Sequence, residues 1–241
     1  MKWCILMLMA KIKYAIVLAG GKGERLRPYT DDRPKPMVEI AGKPILAYQL
    51  EQLKKVGVEE VVFTLSYQRE VLQNHVGDGQ RYGLKATYSI EETPLGRGGA
   101  IKQAMSMLPD DWQEVIIFNG DNLWKVDLEE MINQHHQTKA IATMVVSPLK
   151  SPYGTVEFDD QNHVTKFLEK PILPHWLNSG IYIFNKEIEL LLPNIGDHET
   201  ETFPKLSKDK FFVFKSTDYW RGIDTVKDLI EAEKEVKDVF N

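Results

Sequence analysis

Cysteine is nearly absent from these 241 residues: Cys4 is the only one. A single thiol excludes an internal disulfide framework and fits a reducing compartment, so a cytoplasmic location is expected. Positive charge is not in excess either. Lys and Arg number 30 against 35 Asp and Glu, a net charge of −5, so no global basic field invites nucleic acid. The N-terminal apolar run, Trp3–Ala10 in "MKWCILMLMAKIK", falls far short of the roughly 20 residues that cross a bilayer. It lacks a small-residue cleavage site and a strand follows closely, so a short extension is expected rather than a secretory signal, with no membrane partner. Repeats, low-complexity tracts and linker-like shifts in composition are missing too. One domain over 1–241 is therefore expected, with a first half at about 10–140 and a second half at about 141–241.

What is present is an ordinary globular composition, 43% hydrophobic and 27% charged, in a chain long enough to bury a sizeable core. The first half alternates. Tyr14–Leu18, Val61–Leu65, Ala86–Ile90 and Val115–Asn119 read as strands, with helical patterns at Pro44–Val56, Gln68–His75 and Gly98–Met107 between them. Strands alternating with helices predict a mostly parallel, Rossmann-like α/β sheet covered on both faces. Ligands in such sheets bind beyond the carboxyl ends of the strands. The second half is richer in strands: Ile141–Ser147, Gly154–Phe158, His163–Leu168 and Ser179–Phe184 alternate as half-exposed strands do, and Phe211–Lys215 follows them. "FDDQNHV" supplies a hairpin turn, and an amphipathic helix over about Thr225–Val239 closes the chain.

The densest signal is "LAGGKGERLRPYTDDRPKP", Leu18 to Pro36, with five basic side chains and three glycines directly after a strand. Such a turn can present backbone N–H groups to phosphate, although a solvated surface loop is the plainer reading. No Walker string G-x-x-x-x-G-K-[ST] occurs, and G-x-G-x-x-G fails because Leu26 stands where the last glycine belongs. The whole string instead resembles the opening motif of the sugar-1-phosphate nucleotidylyltransferases, L-A-G-G-x-G-[ST]-R-L-x-P-L-T-x-x-x-P-K-P. It departs only at Glu24, where Thr or Ser is usual, and at Tyr29.

Further stretches follow in that family's order. In "EETPLGRGGAIKQA", Glu91, Pro94 and Gly96 match the turn that holds the nucleobase, with Arg97 in place of the usual Thr. "FNGDN" carries Gly120 and Asp121, although a lone Asp after a strand is more often a turn former or helix cap. "SPYGTVEFD" and "FLEKP" supply Gly154, Glu169 and Lys170, and "LNSGIYIF" supplies Asn178. The last motif departs most. Trp220-Arg-Gly-Ile-Asp-Thr225 has Gly222 where W-x-D-x-G-T has Asp, and Asp224 two residues later. Two positions along a strand keep the same face, so Asp224 can replace that carboxylate. A helix cap is the other reading of Asp224.

The resemblance implies a fold of the glycosyltransferase-A kind with a smaller β-rich sugar-binding lobe. It implies Mg²⁺-dependent condensation of a nucleoside triphosphate with a sugar-1-phosphate, releasing pyrophosphate. By it, Leu18, Ala19, Gly20, Gly21 and Gly23 wrap the nucleotide, Arg25 grips the triphosphate and Lys35 stabilises the α-phosphate centre. Asp121 and Asp224 hold the metal. Gly154, Glu169, Lys170 and Asn178 bind the sugar and its phosphate. A carboxylate at Glu91 only accepts hydrogen bonds, which suits the N–H donors of guanine. Uracil or thymine suits the Gln usual in other branches. GTP is thus expected, with UTP, dTTP or CTP as alternatives. Another class of function, a non-catalytic sensor of nucleotide-sugars, stays open, and so does a homo-oligomer. His135-His136, adjacent on a helix, are expected to diverge rather than share a metal.

Overall fold

The structure, a computed structural model, describes residues 11–240, so the apolar run Trp3–Ala10 lies outside the described residues. The first strand, β1 (Tyr14–Leu18), is five apolar or aromatic residues with no polar face. It can be satisfied only inside a sheet covered on both sides. β1 pairs in parallel with β4 (Glu60–Leu65) on one side and with β6 (Glu114–Asn119) on the other, and β4 with β5 (Lys85–Ile90). Ala15 and Val17 pack under α1 (Ile45–Lys55), α2 (Arg69–Val76) and α4 (Leu128–Thr138). Ile16 packs on the other face, against Ile101, Ala104 and Met105 of α3 (Gly96–Met105).

The second half completes the same sheet. β8 (Ala142–Lys150), β11 (Ile172–Asn185) and β12 (Phe211–Lys215) extend it to the order β12-β8-β11-β6-β1-β4-β5. β11 is the one antiparallel strand among the seven. The hairpin of β9 (Thr155–Phe158) and β10 (Val164–Leu168) stands off as a ribbon of its own. The smaller lobe is therefore largely three strands of the main sheet plus that ribbon. β11 begins seven residues before the expected Ser179; Pro174 lacks a donor, and the register is irregular there, between Ile172 and Trp176.

Two short ladders finish the fold: β2 (Glu39–Ile40) with β3 (Lys43–Pro44), and β7 (Asn122–Lys125) with β13 (Tyr219–Gly222). A third apolar cluster joins them to α6 (Val226–Phe240). Leu229, Ala232 and Val236 on its inner face meet Leu26, Ile40, Leu123 and Ile223. α5 (His198–Glu201) lies in the segment that returns beside α3. His135 and His136 do not diverge as expected. His136 Nε2 lies 2.7 Å from Glu114 Oε2 and His135 Nε2 3.8 Å from Oε1, because Glu114 at the start of β6 faces this side of α4. Among the described residues no cluster of three metal-ligating side chains forms there or elsewhere.

Candidate active site

Four neighbouring parallel strands release their loops at one edge. The register sets Leu18 beside Thr64 and Asn119, so the chains leaving β1, β4 and β6 emerge together. β6 and β4 lie on opposite sides of β1, which makes this edge a topological switch point, where α/β sheets open a crevice. A cleft of 880 Å³ occupies it. Its lining includes Leu18, Ala19, Gly20, Gly21, Gly23, Arg25 and Lys35 from the first loop. Glu91, Pro94 and Gly96 come from the loop after β5, Asp121 from the turn after β6 and Asp224 from the Trp220–Thr225 motif.

Local geometry explains the glycines. Gly23 takes φ +64°, a left-handed turn that L side chains resist, and Thr30 Oγ1 donates to its carbonyl at 2.8 Å. Ser66 Oγ donates to Gly20 O at 2.6 Å, tying the loop to the end of β4. Gly98 and Gly99 sit inside α3, where glycine ordinarily costs stability. A side chain at Gly98 would strike the backbone of His198, and one at Gly99 the carbonyl of Asn194. Close approach of the 193–198 segment is what demands them. Gly120 does not line the cleft; it lies behind, its N–H donating to Leu18 O at 2.9 Å.

The centre of the cleft is an ion cluster. Lys35 Nζ lies 2.8 Å from Asp121 Oδ2 and 2.8 Å from Asp224 Oδ1, with its side chain only 8% exposed. Arg25 Nη2 donates to the same Asp224 oxygen at 3.0 Å. Residues 103 positions apart converge because β7 and β13 run antiparallel, with Asn122 opposite Gly222. Asp224 lies beyond the end of β13, not on the strand as its sequence position suggests. Nor does its side chain cap α6. Thr225 and Asp228 form the capping box, with Asp228 N–H donating to Thr225 Oγ1 and Thr225 N–H donating to Asp228 Oδ2. Burial pushes Asp224 up, but the hydrogen bond and charge of Lys35, then Arg25, outweigh it and hold the carboxyl below its usual range.

Gln49 is a positioning residue that the sequence reading missed. Fully buried on α1, it donates through Nε2 to Asn119 O at 3.0 Å and Asn122 O at 2.5 Å, fixing the turn that carries Asp121. Nothing local marks it, because both partners are more than sixty residues away. Glu91 accepts from Leu95 N–H at 3.2 Å, and burial outweighs that bond to raise its pKa. Arg97 has a structural account: its guanidinium reaches Asp197 and, through two nitrogens, Glu199, clamping α3 to α5. Glu24 lines the cleft, with no ion pair among the described residues.

The sugar-side residues of the sequence reading lie outside the cleft lining. Gly154 and Glu169 adjoin at the stem of the β9–β10 ribbon; a Cβ on Gly154 would lie 3.2 Å from Glu169 Oε2. Lys170 follows on an exposed turn with φ 47°. Asn178 spends its amide on the protein, donating to Tyr182 Oη at 2.8 Å and Glu199 Oε1 at 2.9 Å. Glu199 thus joins Arg97, at the cleft wall, to Asn178 on β11.

The chain resembles known proteins over nearly its whole length. It is 35% identical over 231 residues to mannose-1-phosphate guanylyltransferase of Mycobacterium tuberculosis, covering 92% of this chain and 64% of that protein. D-glycero-alpha-D-manno-heptose 1-phosphate guanylyltransferase of Aneurinibacillus thermoaerophilus is 36% identical, with 92% of this chain and 98% of that protein covered. Among solved structures, HddC from Yersinia pseudotuberculosis complexed with GMP-PN superposes with a TM-score of 0.74 at 30% identity, over 93% of this chain and 99% of that one. The nucleotidyl transferase family model matches residues 14–239, and this chain belongs to that family.

Proposed function

We propose that the chain transfers a guanylyl group from GTP to a sugar-1-phosphate in the cytoplasm, with Mg²⁺. One observation carries the reading: Lys35 is held between Asp121 and Asp224 in a cleft whose wall bears Glu91. A sugar-phosphate oxygen forms a bond to the α-phosphorus as the bond from that phosphorus to the bridging β-phosphate oxygen breaks, and pyrophosphate leaves. Two polyanions must meet, so cations have to be waiting. The 20–23 backbone receives the triphosphate, Arg25 its leaving end, and Lys35 the charge that builds at the α-phosphate. Lys170 at the ribbon stem takes the sugar's phosphate, while Asn178, its amide engaged by Tyr182, Glu199 and Gly180, shapes the sugar side rather than offering a free ligand.

The metal fits the donor set. Two carboxylates converge on one point, both oxygen donors, with side chains 37% and 47% exposed, leaving room for water and phosphate ligands. Asp121 and Asp224 would hold Mg²⁺, which supplies Lewis-acid neutralisation of phosphate charge. Guanine is favoured because Glu91 offers acceptors only, and the names of the relatives support the same base. Their names also favour a manno-configured sugar. The location rests on the single cysteine; among the described residues no helix is long and apolar enough to cross a membrane. Pyrophosphate release measured across five nucleoside triphosphates and a panel of sugar-1-phosphates tests the reading. Release with GTP and a manno-sugar is expected; release with UTP or dTTP alone reassigns the base, and no release in any pairing leaves the sensor reading.

A further inference from the structure

Arg97 stands where Thr is usual, lines the cleft, and serves two carboxylates at once. Its Nε donates to Asp197 Oδ2 at 2.8 Å, while Nη1 and Nη2 donate to the two oxygens of Glu199 at 3.0 and 2.9 Å. Among the described residues it is the only lysine or arginine paired with either carboxylate. Holding α3 against α5 does not require it. Gly196 N–H donates to Leu95 O at 2.8 Å, and Gly98 N–H donates to Gly196 O at 2.9 Å. α5 is closed by its own bonds, Glu199 N–H donating to Asp197 Oδ1 at 2.9 Å and Asp197 N–H to Glu201 Oε1 at 3.0 Å. His198, fully buried, seats α5 on the rings of Tyr182, Phe184 and Phe203. As a fastening, the guanidinium is redundant.

What Arg97 alone supplies is the counter-charge and orientation of Glu199. Glu199 Oε1 accepts from three donors: Arg97, Asn178 Nδ2 at 2.9 Å and Tyr182 Oη at 3.0 Å. Tyr182 Oη in turn accepts from Asn178 Nδ2 at 2.8 Å. A carboxylate only accepts, so the Asn178 amide must face it with its NH₂ and not its carbonyl. We infer that Arg97 is a positioning residue for sugar recognition: it orients and neutralises Glu199, which fixes the Asn178–Tyr182 pair. The inference rests on the proposed function for the side that the sugar takes. Without Arg97, Asp197 and Glu199 leave two uncompensated carboxylates on the wall that a sugar-phosphate dianion approaches, whereas the base side meets a neutral heterocycle. The sugar substrate should feel the loss, and the nucleotide should not.

Arg97→Met removes the charge and the fork together. In pyrophosphate-release kinetics it should raise KM for the sugar-1-phosphate turned over fastest by about tenfold, and KM for GTP by less than about twofold. Adding Glu199→Gln removes the stranded charge, while the amide oxygen still accepts from Asn178 and Tyr182. The double variant should therefore return the sugar KM to within about threefold of the unaltered protein. Arg97→Lys keeps a charge without the fork and should raise the sugar KM about threefold, which carries the test if Arg97→Met does not fold. Equal rises in both KM values, or a lowered Tm with both unchanged, overturn the inference, because a mere fastening would behave that way. A double variant as weak as Arg97→Met overturns it too. An unaltered chain that turns over no sugar-1-phosphate is a different result: the proposed function fails there, and this inference with it.

Discussion

Replacing Lys35 by alanine removes one cation from between two anions. Its Nζ is 2.8 Å from each carboxylate, so the two oxygens are no farther apart than twice that distance. At such spacing two unit charges repel by about 3 kcal/mol at an effective dielectric of about 20. The aspartates are 37% and 47% exposed, so solvent screening trims this to about 1–2 kcal/mol. The folded state should therefore survive, with Tm lowered by about 2–6 °C. Catalysis should suffer far more. A positioned cation that acts only as charge builds in the transition state contributes about 3–4 kcal/mol, so kcat should fall about 10²- to 10³-fold. KM for GTP should change by less than about threefold. With the ammonium gone, Mg²⁺ should bind the free protein up to about tenfold more tightly, since it no longer competes with Lys35. Pyrophosphate-release kinetics, a thermal melt and a Mg²⁺ titration on one preparation read all three. A loss confined to KM would refute the reasoning, because Lys35 would then hold substrate and transition state equally.

Asp121→Asn should abolish Mg²⁺-dependent turnover, and Asp224→Asn should lower kcat strongly with little change in Tm, because Thr225 and Asp228 keep α6 capped. An unchanged kcat in Asp224→Asn would remove it from the metal site. Glu91→Gln should shift kcat/KM from GTP toward UTP or dTTP by roughly ten- to a hundredfold, the cost of mismatched hydrogen-bonding groups in a pocket. Gln49→Leu strands the carbonyls of Asn119 and Asn122, so a melt should show about 1–3 kcal/mol lost for each, with kcat reduced as the Asp121 turn loosens. His135 and His198 are held at about 4, His135 by burial and then His136, His198 by burial over the pull of Glu199 and Asp197. The unfolded chain binds those protons near pH 6.5, so the stability at stake is full above pH 6.5 and is lost as pH falls toward 4. His198→Phe should remove part of that loss in urea melts across the interval; an unaltered pH slope would show that His198 does not titrate with folding.

The parallel half of the fold was legible because β1 and the Val115–Phe118 stretch of β6 are uninterrupted apolar runs with turn residues after them, and such runs fit only a buried sheet. The opening loop, Glu91, Asp121 and Asp224 were singled out by the resemblance, and they line one cleft. Residues whose meaning depends on distant partners were not. Arg97 makes sense only once α5 lies beside α3, and Gln49 only once β6 and β7 cross α1. The first half of β11 was hidden by Pro174, which argues against a strand where the register is in fact irregular. In β9–β10 the alternation announced half-exposed strands, yet nearly every residue of the ribbon is exposed; a pattern states that a face needs cover, not what covers it.

The most direct test of the central claim is the fate of the α-phosphorus. GTP labelled there with a radioactive phosphorus, incubated with Mg²⁺ and mannose-1-phosphate, should deliver its label into a GDP-sugar and leave the released pyrophosphate unlabelled. Label appearing as GMP, or remaining in GTP while the protein binds GDP-sugar, would contradict nucleotidyl transfer by this chain.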